Sequence, residues 1–304
     1  MTAFLQTLID AAALGSLYAL VALAIGLVFG IMRLINFAQS EYIMYGAYGL
    51  IVPSAAATPV LLVGAWPILP MLIVILTFTM LLALATERIA FRPLRDAGAE
   101  TLMISSFALS HFLQHVAMAI YSTRSKSVPF QNWLGEPVIV AGLRIPLIQI
   151  ITPSVTFLLL GLLVVMLRYS GFGIQIRAAA ENYQMARLLG VRGNVVIAGS
   201  FAISGLIGGI VAVLLVAQTG SLDIFMGVLP VIYAFFATVV GGMGSLTGAV
   251  VGGFFVGMIS QLLQAYLPAD VRGFRDAFLF ALVILVLLFR PAGLFPASRV
   301  GHRV

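Results

Sequence analysis

The chain has no cysteine, so neither a disulfide nor a thiolate metal centre can be built from it. Charge is nearly as scarce, with Asp, Glu, Lys and Arg making up 9% of 304 residues. A soluble domain carries about 25%. The only lysine, Lys126, follows Ser125. That excludes the Gly-Lys-Ser/Thr end of a phosphate-binding P-loop, and with it nucleotide hydrolysis by that device. His111 and His115 in "HFLQH" stand four apart on one helix face, the spacing of a metal pair, but residue 112 is Phe and the Glu of a zinc-peptidase helix is missing. The plainer reading has these imidazoles and Gln114 hydrogen-bonding to neighbours near the outer end of their helix. No metal site, cofactor or catalytic group is expected, since no nucleophile, base and orienting acid can be assembled from scattered serines.

Apolar surface is what the chain has in quantity. Hydrophobic residues make up 62% of it and the mean hydropathy is +1.15. No soluble core of this size hides so much, so the solvent is lipid. Runs such as "MLIVILTFTMLLALA" are apolar all round, whereas the strands of a membrane barrel alternate. The expected fold is therefore an all-α polytopic membrane protein, a single transmembrane domain over residues 1–304. Candidate spans are 11–31, 34–52, 68–86, 101–121, 146–167, 195–217, 228–241, 246–267 and 274–289. The second is polar and the seventh short for a crossing that needs about 20 apolar residues. This predicts about eight transmembrane helices plus broken or re-entrant segments. The opening "MTAFLQTLID" lacks a basic stretch, so the first run reads as a retained span.

A net charge of +6 and a pI near 10.0 would suit a nucleic-acid binder, but the arginines lie in short patches beside the apolar runs, as topology requires. Arg88, Arg92, Arg95, Arg168, Arg177, Arg187, Arg192, Arg290, Arg299 and Arg303 fall on one side; Arg124, Lys126, Arg144, Arg272 and Arg275 fall on the other, with Arg33 unassigned. The richer side is cytoplasmic by the positive-inside rule. Residues 122–145, with Pro129, Trp133 and Pro137, then face outward.

Small residues recur every fourth position: Ser200, Ser204, Gly208 and Ala212; Gly244, Gly248 and Gly252; Ala22, Gly26 and Gly30. In lipid, close backbone approach supplies packing energy that the hydrophobic effect cannot. Tight packing within the chain is the plain reading, and a subunit interface the sharper one.

Three stretches carry functional expectations. "RAAAENYQMARLLGV", 177–191, reads as a short amphipathic helix with Ala178, Glu181, Met185 and Leu188 on one face and Gly190 as its stop. It lies on lipid headgroups or docks a soluble partner. "VVGGMGSLTGAVVGG", 239–253, breaks an apolar segment at Gly241, Gly242, Gly244 and Ser245. Broken helices at membrane depth line a solute path or are buried in protein, and a simple helix hairpin is the alternative. "INFAQSEYIMYGAYG", 35–49, places Asn36, Gln39 and Glu41 just behind a long apolar run. Polar groups at that depth mark a functional site, unless Glu41 sits in an interfacial turn, wet or paired to Arg33.

Taken in order, these stretches resemble the permease subunits of branched-chain amino-acid ATP-binding-cassette (ABC) importers. "GSLYALVALAIGLVFGIMRLINFAQSEYIMYGAY" at 15–48, "ERIAFRPLR" at 87–95, "IRAAAENYQMARLLGV" at 176–191, "VVGGMGSLTGAVVGG" and the closing "RPAGLF" at 290–295 all match family signatures, so the likeness runs nearly the whole chain. The H-type of the two paired permeases is the nearer likeness. The resemblance implies a bacterial or archaeal cytoplasmic (inner) membrane and a heteromeric importer. Its other parts are a second homologous permease subunit, two cytoplasmic ATPase subunits and an external solute-binding protein. It is not itself an enzyme, and ATP hydrolysis is expected on those partners. The ATPase-coupling loop falls at about 169–194, on Ala180, Glu181, Ala186, Leu189 and Gly190. The translocation path falls on Asn36, Gln39, Glu41, Gly241, Gly242, Gly244 and Ser245. Members commonly carry His-Gly where this chain has Gln39-Ser40, a departure that bears on the solute.

The rival reading is an ion-gradient-driven secondary transporter or channel. Such proteins carry ionisable residues within their spans, whereas 146–167, 195–217 and 246–267 contain no Asp, Glu, Lys, Arg or His.

Overall fold

The structure, a computed structural model, describes residues 2–95, 97–130, 132–140 and 143–295. Arg299 and Arg303, assigned above to the cytoplasmic side, lie outside the described residues. Eleven helices in the described residues run in the order α1 (Thr2–Met32), α2 (Gln39–Tyr48), α3 (Ile68–Thr86), α4 (Ala99–Tyr121), α5 (Leu147–Tyr169), α6 (Gly171–Glu181), α7 (Tyr183–Leu188), α8 (Gly193–Thr219), α9 (Val228–Gly241), α10 (Leu246–Tyr266) and α11 (Arg275–Phe289). Six are long and apolar enough to cross a membrane: α1, α3 with its continuation to Leu94, α4, α5, α8 and α10. That is two fewer than the eight expected; α9 (14 residues) and α11 (15 residues) are shorter than a full crossing needs. The all-α polytopic fold is as the apolar runs predict.

The ends of these helices follow from local chemistry. Pro67 and Pro146 precede α3 and α5, where a missing N–H costs nothing. Gly220 closes α8 in the left-handed region at φ +61°. Arg33, a non-glycine residue at φ +55°, ends α1 in the same way, its N–H donating to the Phe29 carbonyl at 2.9 Å.

α1 is the axis of the molecule. Of its most apolar window 89% is buried, against 22% for α3 and for α5, whose outer faces are left for lipid. It packs on α10 with almost no side chain between the backbones. A methyl group built on Gly253 would lie 2.6 Å from the Ala19 Cα, and one on Gly257 would lie 2.5 Å from the Gly15 Cα. The small-residue stripes serve this internal packing. Ser200, Ser204, Gly208 and Ala212 are buried, as are Ala22, Gly26, Gly30, Gly248 and Gly252. Every stripe residue but the half-buried Gly244 is covered by its own chain, which supports the plain reading of packing within the chain.

Two sets of contacts mark the two ends. At one, β1 (Lys126–Ser127) pairs antiparallel with β4 (Ser221–Leu222), and β2 (Pro137–Val140) with β3 (Leu143–Pro146). There Lys126 Nζ donates to the Ser54 carbonyl at 2.5 Å. At the other, Arg95 bonds Glu87 and Asn194, and the Leu294 and Phe295 N–H groups donate to the Val240 and Gly241 carbonyls at 2.7 and 2.9 Å. Arg33 joins this second, arginine-rich end, because its guanidinium donates to the Ala180 carbonyl at 3.2 Å. α1 therefore begins on the outer side and runs inward.

The span expected at 34–52 is a crossing of another kind. From Arg33 at the cytoplasmic end the chain stays non-helical through residues 33–36, turns at 37–38, makes the 10-residue α2, and reaches Ser54 at the outer end. Such irregular backbone is tolerated at membrane depth only inside protein, and every α2 residue except Tyr45 is buried.

The single helix expected at 177–191 is two helices. Asn182 interrupts it in an extended conformation (φ −151°, ψ 101°), and its Oδ1 accepts from the Met185 N–H at 3.0 Å to start α7. An Asn side chain that offers the backbone an alternative partner at an N-cap explains the break. The buried face also differs from the expected one. It is made by Gly173, Ile176, Ala179 and Ala186, whereas Met185, Leu188 and Leu189 are exposed.

Candidate translocation path and docking surface

The polar stretch ahead of and within α2 is held by hydrogen bonds from three other helices. Asn36 Oδ1 accepts from the Ala38 N–H at 3.1 Å, and its Nδ2 donates to the Tyr42 hydroxyl at 3.4 Å. That hydroxyl lies 2.6 Å from Thr86 Oγ1 at the end of α3. Gln39 exchanges two hydrogen bonds with Ser204 of α8: its Nε2 donates to the Ser204 carbonyl at 3.2 Å and its Oε1 accepts from Ser204 Oγ at 2.5 Å. Glu41 Oε1 accepts from Ser110 Oγ at 2.8 Å and Gln114 Nε2 at 2.9 Å, both on α4, and lies 2.8 Å from Ser40 Oγ. Glu41 is 0% exposed, and its other oxygen, Oε2, is buried with no partner. It forms no ion pair with Arg33, and the wet interfacial turn is excluded.

The first turns of α2 and α9 meet. A methyl group on Gly227, the residue before α9, would run into the Ser40 carbonyl, so only glycine permits this approach. α2 leaves this point toward the outer end and α9 toward the cytoplasmic end. Two short helices thus begin back to back inside the protein, with the Glu41 carboxyl beside their junction.

Gly241, Gly242, Gly244 and Ser245 are elsewhere. They form the turn from α9 into α10, with Gly242 at φ 111° and Gly244 at φ 91°, and Ser245 Oγ accepts from the Gly248 N–H at 3.1 Å as the cap of α10. The closing "RPAGLF" segment bonds back onto this turn through Leu294 and Phe295. It is the helix-hairpin alternative, lying beside Arg290 at the cytoplasmic end and not at mid-membrane, because α10 needs all of its 21 residues to reach the outer loops. The structure therefore gathers Asn36, Gln39 and Glu41 into one cluster and leaves the glycine turn apart from it.

Of the coupling candidates, Ala186 is buried, Ala180 is half-buried with its carbonyl bound by Arg33, and Glu181, Leu189 and Gly190 are exposed. Leu188 is 82% and Leu189 86% exposed, an apolar ridge at the cytoplasmic end with no cover from this chain. Gly190 takes φ +89°, where a side chain is strained.

Of the cluster's members on α4, only Gln114 was singled out from sequence, as a hydrogen-bonding neighbour of the histidines; Ser106 and Ser110 were not. Ser106, Ser110 and Gln114 recur at fours along α4, a polar stripe in an apolar helix that could have been noticed. Gln114 turns inward to Glu41. His111 and His115 are exposed, and His115 Nδ1 lies 2.7 Å from the His111 carbonyl of its own helix. Gly227 gave no signal of its own.

Comparison with known proteins decides the family. Residues 7–287 match the model of the family described as branched-chain amino acid transport system / permease component. The chain belongs to that permease family. The high-affinity branched-chain amino acid transport system permease protein BraD of Pseudomonas aeruginosa is 35% identical over 98% of this chain and 97% of its own length. The high-affinity branched-chain amino acid transport system permease protein LivH of Escherichia coli is 34% identical over the same shares. A probable branched-chain amino acid transport permease protein LivH of Methanocaldococcus jannaschii is 30% identical over 92% of this chain and 88% of its own. No solved structure matches the chain. As a family member the protein is the membrane-spanning permease subunit of an ABC importer, a multi-pass membrane protein and not an enzyme.

Proposed function

We propose that this permease passes branched-chain amino acids, or amphipathic solutes of similar size, along a path beside the junction of α2 and α9. The observation that carries the reading is that junction. Two discontinuous helices start inside the protein, next to a buried carboxyl whose Oε2 has no partner. Discontinuous helices frame solute sites in many transporters, since irregular backbone inside a membrane is kept only where it lines a cavity or lies in protein. Asn36, Gln39 and Glu41 are the path residues in this reading. Gly241, Gly242, Gly244 and Ser245 serve as the hinge at its cytoplasmic exit.

A second homologous permease completes the path, and an external binding protein delivers solute to the loops at 122–145 and 268–273. Two ATPases dock on Ala180, Glu181, Ala186, Leu189 and Gly190. Closure of the ATPases pushes α6 and α7, and the push reaches α1 through the Arg33–Ala180 bond.

The test is the purified complex in liposomes with ATP inside. Accumulation of labelled leucine that stops when either the ATPase or the binding protein is omitted supports the reading. Uptake by this chain alone on an ion gradient would support the secondary-transporter reading instead. Asp276, an ionisable residue available to that rival, is already engaged by the Tyr233 hydroxyl at 2.5 Å and Arg275 Nε at 3.0 Å.

A further inference from the structure

At the cytoplasmic end, a cavity of about 570 Å³ is lined by Arg92 and Arg95, Arg187 and Tyr183 of α7, and Arg192 and Asn194 at the start of α8. Four arginines line one space, and no carboxylate is among the lining residues. Glu87 neutralises Arg95 from outside the cavity; Arg92, Arg187 and Arg192 make no ion pair among the described residues. Arg95 is held in place by Glu87 and Asn194, and its Nε is buried without a partner. Arg187 lies over the Tyr183 ring, 5.9 Å from its centroid. The 27-residue α8 opens on the same cavity with no side-chain cap, adding the positive end of its dipole.

Surface arginines that only set topology spread into water, because like charges repel. Here four converge from three segments, and two of them are positioned by side-chain contacts. The missing component is an anion with several oxygens. We propose that this cavity binds a phosphate-type oxyanion, supplied by the headgroup of an anionic phospholipid. Guanidinium forks match phosphate geometry bidentately, and several forks around one group suit a phosphate better than a single carboxylate.

Position favours lipid as the source. The cavity lies where the crossings Ile68–Leu94 and Gly193–Thr219 end, at headgroup level. Val195, 50% exposed, lines it, and Ile89, 76% exposed, stands on the adjoining 87–95 segment. A lipid seated there would have its phosphate among the arginines and its chains along those residues. Bound, it would brace the 87–95 segment against α7 and the start of α8. The site holds whether or not α6 and α7 dock an ATPase.

The experiment uses the full chain in nanodiscs of phosphatidylcholine with or without phosphatidylglycerol, read by native mass spectrometry after mild delipidation. Wild type is expected to retain phosphatidylglycerol at least fivefold more than Arg187→Gln/Arg192→Gln, with Arg168→Gln, outside the cavity, behaving as wild type. Arg187→Lys/Arg192→Lys keeps charge and loses the forks, and is expected to fall between; it also guards against a misfolded double variant. Millimolar inorganic phosphate that binds in place of retained lipid would keep the oxyanion site and overturn its lipid source. Equal lipid retention by wild type and the glutamine variant, with no phosphate binding, overturns the site. Shielding of these arginines from phenylglyoxal only when the ATPases are bound would make the cavity a protein contact and likewise overturn the proposal.

Discussion

Gln39 and Ser204 join α2 to α8 by two hydrogen bonds: the Gln39 amide donates to the Ser204 carbonyl at 3.2 Å and accepts from its hydroxyl at 2.5 Å. Gln39→Leu keeps the bulk and removes both. A lost buried hydrogen bond costs about 1 kcal/mol and a group left unpaired about 1–3. Ser204 Oγ lies 3.4 Å from the Ala24 carbonyl and can turn to it, so the expected loss is about 1–2 kcal/mol in detergent unfolding. Gln39→His places its donor and acceptor on separate ring atoms and is expected to recover only part. Full recovery would show that the paired geometry is not what matters.

Glu41 separates stability from transport. Glu41→Gln keeps an oxygen for Ser110 and Gln114, so its unfolding midpoint should stay near wild type. Glu41→Ala leaves both donors unpaired inside the protein and should cost about 2–3 kcal/mol. If the unpartnered Oε2 meets solute, Glu41→Gln should nonetheless reduce leucine uptake at least tenfold. A fully active Glu41→Gln would remove Glu41 from the path.

Much of this arrangement can be read along the chain, and the remainder depends on groups distant in sequence. The apolar runs locate the six long crossings because lipid demands length and apolarity together. The burial of Asn36, Gln39 and Glu41 follows from the return of apolar residues at Tyr42–Met44. Their partners Ser110, Gln114 and Ser204 lie 69 or more residues away, and no local pattern says which polar groups will meet. Between Glu181 and Tyr183 the amphipathic spacing continues across Asn182, so periodicity alone reads one helix, while the capping chemistry of Asn makes two. The glycine turn at 241–245 misleads about depth, because α9 begins late, after the close approach at Gly227, and so spends only 14 residues reaching the cytoplasmic end.

The ridge on α7 should couple without stabilising. Leu189 is 86% exposed, so Leu189→Glu is expected to change stability by no more than about 0.5 kcal/mol. In the assembled importer it would put a charge into the ATPase contact, and solute-stimulated ATP hydrolysis should fall at least tenfold while the complex still inserts. Glu181→Ala should act in the same direction. Normal coupling in both variants would place the ATPase contact elsewhere.

The axis formed by α1 and α10 tolerates no added bulk. Gly257→Val would drive side-chain atoms into Gly15, where even a Cβ lies 2.5 Å from the Cα, and the helices must part. Overpacking of this kind costs about 1–3 kcal/mol, and lost backbone contact in lipid adds to it. Gly161→Val on α5, where nothing lies within 4 Å of a Cβ, is the matched control and should express and unfold as wild type. Thermal unfolding of the two in the same detergent checks this; equal midpoints would contradict the close-packed axis.

Lys126 anchors the outer face in a pH-dependent way. Its side chain is 1% exposed, donates to the Ser54 carbonyl at 2.5 Å and lies over the Tyr121 ring at 5.8 Å. Burial pulls its ammonium below the usual lysine value of 10.5, because no carboxylate offsets the lost water. Between that lowered value and 10.5 the unfolded chain holds a proton that the folded chain has released, so folding stability rises with pH through the window. Lys126→Met cannot titrate there. The difference in stability between wild type and Lys126→Met should therefore shift in favour of wild type as pH climbs toward 10.5, with hydrogen exchange at residues 52–62 reporting the same trend. A difference that stays flat with pH would mean that Lys126 keeps its ordinary affinity for the proton, and that the Ser54 bond, not burial, governs its state.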